Sequence, residues 1–286
     1  MIMENKFILF FKGMLMGICD LIPGISGGTI AFITGIYERL INAVKGFSLE
    51  LLSSLVSLDK KRINNNIKKL DLGFLLVLFS GIIFSILLGS RIIERLLENY
   101  YAKTISFFVG LILASSFIIY ENISRHNFKN YVYCFIGFII GIGLIFLRPA
   151  EVSISNSYLF LGGFFAISAM FLPGISGSFI LLIMGLYEPI IGMLQDIIIN
   201  IRYLVIFILG MVFGAFFISR LISYLFKKDR CKTLYFLLGL VLGTLGLPVV
   251  KIYEVASFNG NNIFMLPLLF FIGALLVLIV GRYVKN

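Results

Sequence analysis

The chain has 286 residues, of which 60% are hydrophobic and 13% are charged, with a formal net charge of +10 and a mean hydropathy of +1.05. The charged share is about half of the ~25% usual in soluble proteins, which argues against a soluble enzyme or a nucleic-acid-binding protein and indicates a polytopic membrane protein. The longest polar stretch, residues 58–71, is too short for a soluble domain. Residues 1–286 are therefore predicted to form a single membrane domain.

The first apolar segment, residues 7–46, is interrupted by a glycine-rich motif. Residues 17–41 read GICDLIPGISGGTIAFITGIYERLI, so the apolar run stops at Pro23 and resumes after Thr29. Three further apolar runs follow at 72–97, 103–121 and 130–147. Each of them has about the 17–25 residues that a membrane-spanning helix needs.

The same pattern recurs in the second half of the chain. The PGISG motif at 23–27 returns at 173–177, and later matches, such as Ser90-Arg91 with Ser219-Arg220, follow at a shorter spacing. The second half has a broken segment at 157–199 and apolar runs at 203–226, 232–250 and 263–281. The sequence thus predicts an internal duplication, with repeat one at 1–150 and repeat two at 151–286.

The distribution of positive charge favours a hairpin over a single crossing for each broken segment. If each segment returns to the side from which it entered, each half crosses the membrane an odd number of times and the two repeats are inverted. Sixteen lysines and arginines then face one side and six face the other, as expected when positive loops are cytoplasmic. Both termini are predicted to be cytoplasmic. Charge does not separate a re-entrant hairpin from a pair of complete transmembrane helices.

The two glycine breaks are the candidate substrate site. Irregular backbone at membrane depth is tolerated only where it is buried in protein or lines a watery cavity, so breaks from inverted repeats are expected to meet centrally. Helix N-termini and serine or threonine hydroxyls there favour an anion such as a phosphate. The alternative is that each Pro-Gly pair only kinks a packed helix.

Charged residues inside apolar runs are costly and usually functional. Arg220 lies seven residues before Lys227, roughly 10 Å along a helix, and its repeat counterpart Arg91 is expected near the opposite face. Two such arginines would take a phosphate from either side, unless they only snorkel to the interface. The predicted phosphate-binding residues are Gly24, Ser26, Gly27, Gly28, Thr29, Gly174, Ser176, Gly177, Ser178, Arg91 and Arg220.

Four acidic or basic residues are predicted to act in coupling or gating: Asp20, Glu38, Arg39 and Glu188. Glu38 and Glu188 are repeat counterparts that either carry a coupling proton, pair with the arginines, or lie at the interface. Asp20 and Arg39 correspond to Met170 and Pro189, so they are the source of any functional asymmetry between the halves.

No other constellation in the sequence indicates chemistry. Cys19, Cys134 and Cys231 are isolated in apolar sequence and are predicted to be small core residues rather than a disulfide or metal site. His126 lies in a polar turn and is predicted to be a solvated loop residue. Since no catalytic triad, metal spacing or nucleotide fingerprint is present, we expect no enzyme activity, no metal and no cofactor.

The broken segments resemble those of a known family. GxxDxIPGxSGGTxAFxxGIYExLI at 17–41 and PGISGSFxLLxMGLYEPI at 173–190 are similar to the paired motifs of the bacterial polyprenyl-phosphate transporters. The resemblance covers essentially the whole chain, including GLILAS at 110–115 and GLVLGT at 239–244.

The resemblance implies translocation of undecaprenyl phosphate, the lipid carrier of cell-wall precursors, from the outer to the cytoplasmic leaflet of the bacterial plasma membrane. It also implies functional roles for five motif residues: Asp20, Ser26, Glu38, Ser176 and Glu188. Membrane lipids are the other expected partners, H⁺ and Na⁺ are the candidate coupling ions, and the oligomeric state is open. The residues alone leave a small-anion channel or exchanger as the alternative; a lipid phosphatase lacks a nucleophile and base.

Overall fold

A computed structural model describes residues 5–22, 25–47, 70–147, 149, 154–255 and 260–285. Gly24 and Pro23 of the first break, and most of the polar stretch 58–71, lie outside these described residues. The described residues form twelve α-helices and one 3₁₀ turn: α1 Lys6–Asp20, α2 Gly27–Ile33, α3 Tyr37–Lys45, α4 Leu72–Glu121, α5 Phe128–Gly143 followed by the turn Leu144–Phe146, α6 Asn156–Met170, α7 Gly177–Ile183, α8 Tyr187–Gln195, α9 Ile197–Lys228, α10 Arg230–Thr244, α11 Gly246–Val255 and α12 Gly260–Lys285.

The predicted class, an all-helical polytopic membrane protein, is confirmed. In the described part of the chain, five helical segments are long and apolar enough to cross a membrane, and the bent pair α7 and α8 makes a sixth if it is counted as one span. The three cysteines are free, with Cys19 fully buried and the other two half-buried. His126 lies in an exposed loop, as expected, and its Nδ1 is 2.6 Å from the Tyr235 hydroxyl oxygen.

One predicted boundary differs from the structure. The runs 72–97 and 103–121 form a single 50-residue helix, α4, that bends at Tyr100, where φ is −138° and ψ is 34°. No glycine or proline separates the two runs, so the helix is not terminated between them. Aligning Arg91 with Arg220 makes Asp229 the counterpart of Tyr100, and at Asp229 α9 ends and α10 begins. The kink in α4 therefore corresponds to a complete break in the second half.

Each broken segment doubles back on itself. Lys12 Nζ, on α1, donates a hydrogen bond to the Thr34 carbonyl at the end of α2, at 2.8 Å. In the second half the Tyr158 hydroxyl, on α6, donates to the Met184 carbonyl at the end of α7, at 2.9 Å. The alignment of the PGISG motifs makes Met184 the counterpart of Thr34. The equivalent carbonyl group therefore accepts a side-chain hydrogen bond in both segments. The return helices have seven residues each, about 10 Å, far less than the ~30 Å hydrocarbon core.

The two halves of the chain interlock. The second part of α4 packs against α12, where Cβ atoms added to Gly110 and Gly273 would collide with the carbonyls of Phe270 and Phe107. In the corresponding way α10 packs against α5, through Gly239 and Gly137. Small residues at such crossings let helix backbones approach closely in a membrane. If the broken segment is counted as the first helical run of each half, the third runs are the second part of α4 and α10. Each of them packs against the last run of the other half, which is α12 for α4 and α5 for α10.

These crossings predict a stability effect. We expect Gly137→Ala to lower the apparent melting temperature of the detergent-purified protein, because its methyl group would collide with the Phe236 carbonyl on α10 and overpacking is destabilising. Gly143→Ala in the same helix is the control, since a Cβ there meets no atom within 4 Å. Equal melting temperatures for the two variants would contradict this packing.

Candidate functional site

In the first break, side-chain oxygen atoms cap the N-terminus of α2. The Asp20 carboxylate accepts a hydrogen bond from the Gly27 amide at 2.7 Å, and the Ser26 hydroxyl accepts one from the Gly28 amide at 3.2 Å. Ser26 is the N-cap of α2 and is buried. Side-chain oxygens at these positions satisfy amide groups that a helix leaves free.

Glycine is required in this break by close approach of neighbouring groups. A Cβ atom on Gly27 would lie 2.5 Å from a carboxylate oxygen of Asp20, and one on Gly28 would lie 2.6 Å from the Met170 carbonyl oxygen. Met170 ends α6, in the second broken segment. The glycines therefore allow the two broken segments to come into direct backbone contact.

The two breaks meet through Thr29. Its hydroxyl oxygen accepts a hydrogen bond from the Gly174 amide at 2.7 Å, and only 2% of Thr29 is exposed. Gly174 has φ of +90°, which favours glycine. Close by, the buried Tyr37 hydroxyl donates to the Phe171 carbonyl at 2.7 Å. The predicted meeting of the two breaks is thus present in the structure.

The second break is more open than the first. Every residue of α2 from Gly27 to Phe32 is buried, whereas α7 contains no buried residue. The Ser176 and Ser178 hydroxyl oxygens are 2.7 Å apart, and Ser178 is exposed. Ser176 makes no side-chain cap on α7, and Met170 stands where the first half has Asp20. The hydroxyls of this break are therefore accessible.

The predicted gating residues divide into paired and exposed ones. Arg39 forms a bidentate ion pair with Asp71, at 2.6 and 3.2 Å, and its guanidinium lies over the Phe74 ring. Glu38 accepts a hydrogen bond from Arg230 Nε at 2.7 Å. Glu188, the counterpart of Glu38, is exposed and makes no hydrogen bond or ion pair with the described residues.

The two predicted arginines also differ from each other. Arg220 donates to the Phe216 carbonyl in its own helix, at 2.9 Å, and to the Phe47 carbonyl beyond α3, at 3.3 Å. Arg91 is exposed and has no such partner in the described part of the chain. Neither arginine forms a hydrogen bond with a described residue of either break, so the transfer of a phosphate from one arginine to the other stays a prediction.

A small polar cavity lies between α3 and α9. It has a volume of about 120 Å³ and is lined by Glu38, Ile41, Asn42, Ser223, Phe226 and Lys227. Lys45 Nζ donates to the Ser223 hydroxyl at 3.0 Å, and that hydroxyl donates to the Asn42 side chain at 3.2 Å. Arg220 and Lys227 both lie close enough to Lys45 to repel its charge, and the three side chains form a basic cluster around these hydroxyl and amide groups.

Sequence reasoning missed Tyr37, Asp71 and Arg230 as partners in this site. For Tyr37 a signal existed, because GIYE and GLYE place a tyrosine beside the glutamate of each repeat. Asp71 and Arg230 lie in polar turns, and only the three-dimensional structure shows that α3 contacts both turns.

Comparison with known proteins identifies the family of the chain. A family model described as undecaprenyl phosphate translocase-like matches residues 16–262. A polyprenyl-phosphate transporter of Vibrio cholerae serotype O1 is 38% identical over 84% of this chain and 77% of its own length. One of Staphylococcus aureus is 28% identical over 98% of this chain and 97% of its own length. No solved structure matches the chain. With breaks that meet inside a helical membrane domain and a family match over most of its length, the chain belongs to the undecaprenyl phosphate translocase-like family.

Proposed function

We propose that this protein moves a polyprenyl phosphate, undecaprenyl phosphate in the first instance, between the leaflets of the bacterial cytoplasmic membrane. The observation that carries the proposal is the Thr29–Gly174 hydrogen bond, which joins two polar backbone breaks inside an apolar helical domain. A charged headgroup cannot cross hydrocarbon unaided at a useful rate. The junction supplies polar groups for the phosphate while the apolar chain stays in lipid, and the named relatives are transporters of this substrate class.

The first break indicates that this backbone accepts an oxyanion. The Asp20 carboxylate, bonded to the Gly27 amide, occupies the place that a phosphate oxygen would take. In the second break the corresponding residue is Met170, and the Ser176 and Ser178 hydroxyls are accessible. We therefore assign the phosphate to the second break in this conformation, with Gly177 allowing close approach. Asp20 acts as an internal anion that competes for the first break.

The contacts of α3 support an inverted arrangement of the repeats. α3 lies against the start of α4, through Arg39 and Asp71, and against the end of α9, through Arg220 and Phe47. Because the first part of α4 and α9 are repeat counterparts, this contact pattern supports a topology in which their corresponding ends lie on opposite sides of the membrane. The lysine-rich end of α9 assigns the α3 side to the cytoplasm by the positive-inside rule, with both termini on that side.

The basic cluster of Lys45, Arg220 and Lys227 is then the site that binds the phosphate on the cytoplasmic side. Three cations beside hydroxyl and amide donors suit a phosphate monoester. Transport runs from the outer to the cytoplasmic leaflet, which returns the carrier for reuse in cell-wall precursor synthesis. Coupling to H⁺ or Na⁺ would act through Asp20, the half-buried carboxylate that holds the first break. No covalent chemistry is part of this proposal.

Ligand-induced thermal stabilisation tests the proposed substrate. A ligand that binds the folded protein raises its apparent melting temperature. We expect undecaprenyl phosphate to stabilise the detergent-purified protein strongly. Undecaprenol lacks the phosphate group and inorganic phosphate lacks the polyprenyl chain, so we expect both to stabilise it weakly.

The hydroxyls of the second break are tested in the same assay. Ser176→Ala/Ser178→Ala is expected to reduce the shift by undecaprenyl phosphate. Ser80→Ala is the control, since Ser80 is an exposed serine of α4 whose hydroxyl donates to the Val77 carbonyl of its own helix. Equal stabilisation by undecaprenol would contradict phosphate recognition. Stabilisation and vesicle flux with inorganic phosphate alone would instead indicate a small-anion channel.

A further inference from the structure

The two broken segments are repeat counterparts in sequence but are packed differently. In the first, α3 lies against α9 of the other half. In the second, α8 packs against α9 and α7 of its own half, and it is bent by 107° relative to α7. The α3 side of the molecule is therefore closed by contacts between the halves, while the described residues of the α8 side do not form the corresponding hydrogen bonds.

Four polar contacts close the α3 side. The Tyr37 hydroxyl donates to the Phe171 carbonyl and Arg230 donates to Glu38. Arg220 donates to the Phe47 carbonyl, and Lys45 donates to the Ser223 hydroxyl. Each of these residues has a counterpart in the other repeat, given by the alignment of the PGISG motifs or by that of the Ser-Arg pairs. The four counterpart contacts would be Tyr187 with the Leu21 carbonyl, Glu188 with Tyr101, Arg91 with the Ile197 carbonyl, and Gln195 with Glu94.

None of these counterpart contacts is made among the described residues, and their members are available. Tyr187 is 41% exposed although Tyr37 is buried, and Glu188, Arg91, Glu94 and Gln195 are all exposed. Tyr101 gives the strongest indication, because its hydroxyl is buried without a hydrogen-bond partner among the residues that the structure describes. A buried polar group without a partner is costly and requires an explanation.

We propose that Tyr101, Tyr187 and Glu188 form the gate on the α8 side, and that it closes in a second conformation. In that state α8 moves onto the first part of α4, Tyr101 donates its hydrogen bond to Glu188, and Tyr187 donates to the Leu21 carbonyl. At the same time α3 leaves α9, so the junction of the breaks opens to the other side. Inverted repeats support such an exchange because each half can adopt the packing of the other.

The two gates also differ in the charge of the residues that close them. The α3 side is held by an ion pair, Glu38 with Arg230, and by a lysine hydrogen bond. The α8 gate would use a neutral tyrosine for Arg230 and a glutamine for Lys45. An ion pair adds an attraction between two charges that a bond from a neutral tyrosine to Glu188 lacks, so we expect the α3-closed state to be favoured without substrate.

Removing the Tyr101 hydroxyl tests the proposed gate. Tyr101→Phe deletes no hydrogen bond to a described residue in this conformation, so a purely structural role predicts unchanged transport. The proposal predicts that transport of undecaprenyl phosphate in proteoliposomes falls severalfold while the melting temperature of the substrate-free protein does not fall. Ser116→Ala is the matched control, since Ser116 Oγ is the other buried side-chain oxygen without a partner among the described residues. Wild-type transport by Tyr101→Phe would overturn the assignment.

Crosslinking tests the closed gate without any substrate. In a background with Cys19, Cys134 and Cys231 replaced by alanine, Tyr101→Cys/Glu188→Cys is treated with a short thiol-to-thiol crosslinker in membranes. We expect crosslinking in part of the population, and more of it when Glu38→Gln removes the ion pair on the α3 side.

Glu38→Cys/Arg230→Cys is the positive control for this experiment. No 101–188 product in either background, with efficient reaction of the control pair, would overturn the proposal. The inference rests on the inverted arrangement proposed above, and because this readout needs no lipid, it stands or falls separately from the identity of the cargo.

Discussion

Replacing Thr29 with valine is expected to reduce transport of undecaprenyl phosphate by about fivefold to a hundredfold and to lower the melting temperature. Valine has nearly the same shape as threonine, so packing is retained while the acceptor for the Gly174 amide is lost. A buried donor without a partner costs about 1–3 kcal/mol, and each ~1.4 kcal/mol corresponds to about tenfold in an equilibrium constant. The effect on transport is the larger one because this bond joins the two breaks at the proposed substrate path.

Thr29→Ser is the control for this prediction, because it keeps the hydroxyl oxygen and removes only a methyl group. It should retain most of the transport rate. If Thr29→Val and Thr29→Ser both transport like the wild type, in vesicles with equal amounts of folded protein, the junction of the breaks is not part of the substrate path.

Replacing Arg220 with glutamine is expected to reduce transport by tenfold or more, with a smaller effect on folding. In the structure the guanidinium bonds the Phe47 carbonyl and lies over the Phe216 ring, 3.3 Å from its centroid, close to Lys45. Hydrogen bonds to charged groups are worth about 1.5–3 kcal/mol each. Loss of the guanidinium would remove both a proposed phosphate ligand and the hydrogen bond to the Phe47 carbonyl on the α3 side.

Arg202→Gln is the matched control, since Arg202 is an exposed arginine near the other end of the same helix. Arg220→Lys should give an intermediate rate, because lysine keeps the charge but loses the planar fork of donors. Both measurements use transport in proteoliposomes together with the melting temperature. Equal transport by Arg220→Gln and Arg202→Gln would remove Arg220 from the substrate path.

The local features of the fold were predictable from the sequence. Hydrophobic runs and Pro-Gly breaks have strong local signals, and the second helices of the broken segments begin at Gly27 and Gly177, next to the predicted motifs. Repetition of the motif also predicted that the segments would share their geometry, as the positive φ of Gly35 and Gly185 illustrates. The kink at Tyr100 was missed because no proline or glycine marks it.

The interlocking of the halves was not predictable in this way. Gly110 and Phe270 are far apart in sequence, and helix-forming residues carry no information about which distant helix they face. The difference between the breaks was only partly visible. The exchange of Asp20 for Met170 indicated asymmetry, but that Asp20 binds the Gly27 amide, and that α7 is open while α2 is buried, depends on tertiary packing.

Movement of undecaprenyl phosphate between leaflets tests the proposed function without an intermediate step. Labelled undecaprenyl phosphate is placed in one leaflet of proteoliposomes that contain the purified protein, and its appearance in the other leaflet is followed by a reagent that reaches only one side. We expect rapid movement with the wild type, slow movement with Thr29→Val, and only spontaneous movement in protein-free vesicles. Movement at the protein-free rate in wild-type vesicles that nevertheless pass labelled inorganic phosphate would contradict lipid transport and support a small-anion pathway through the same breaks.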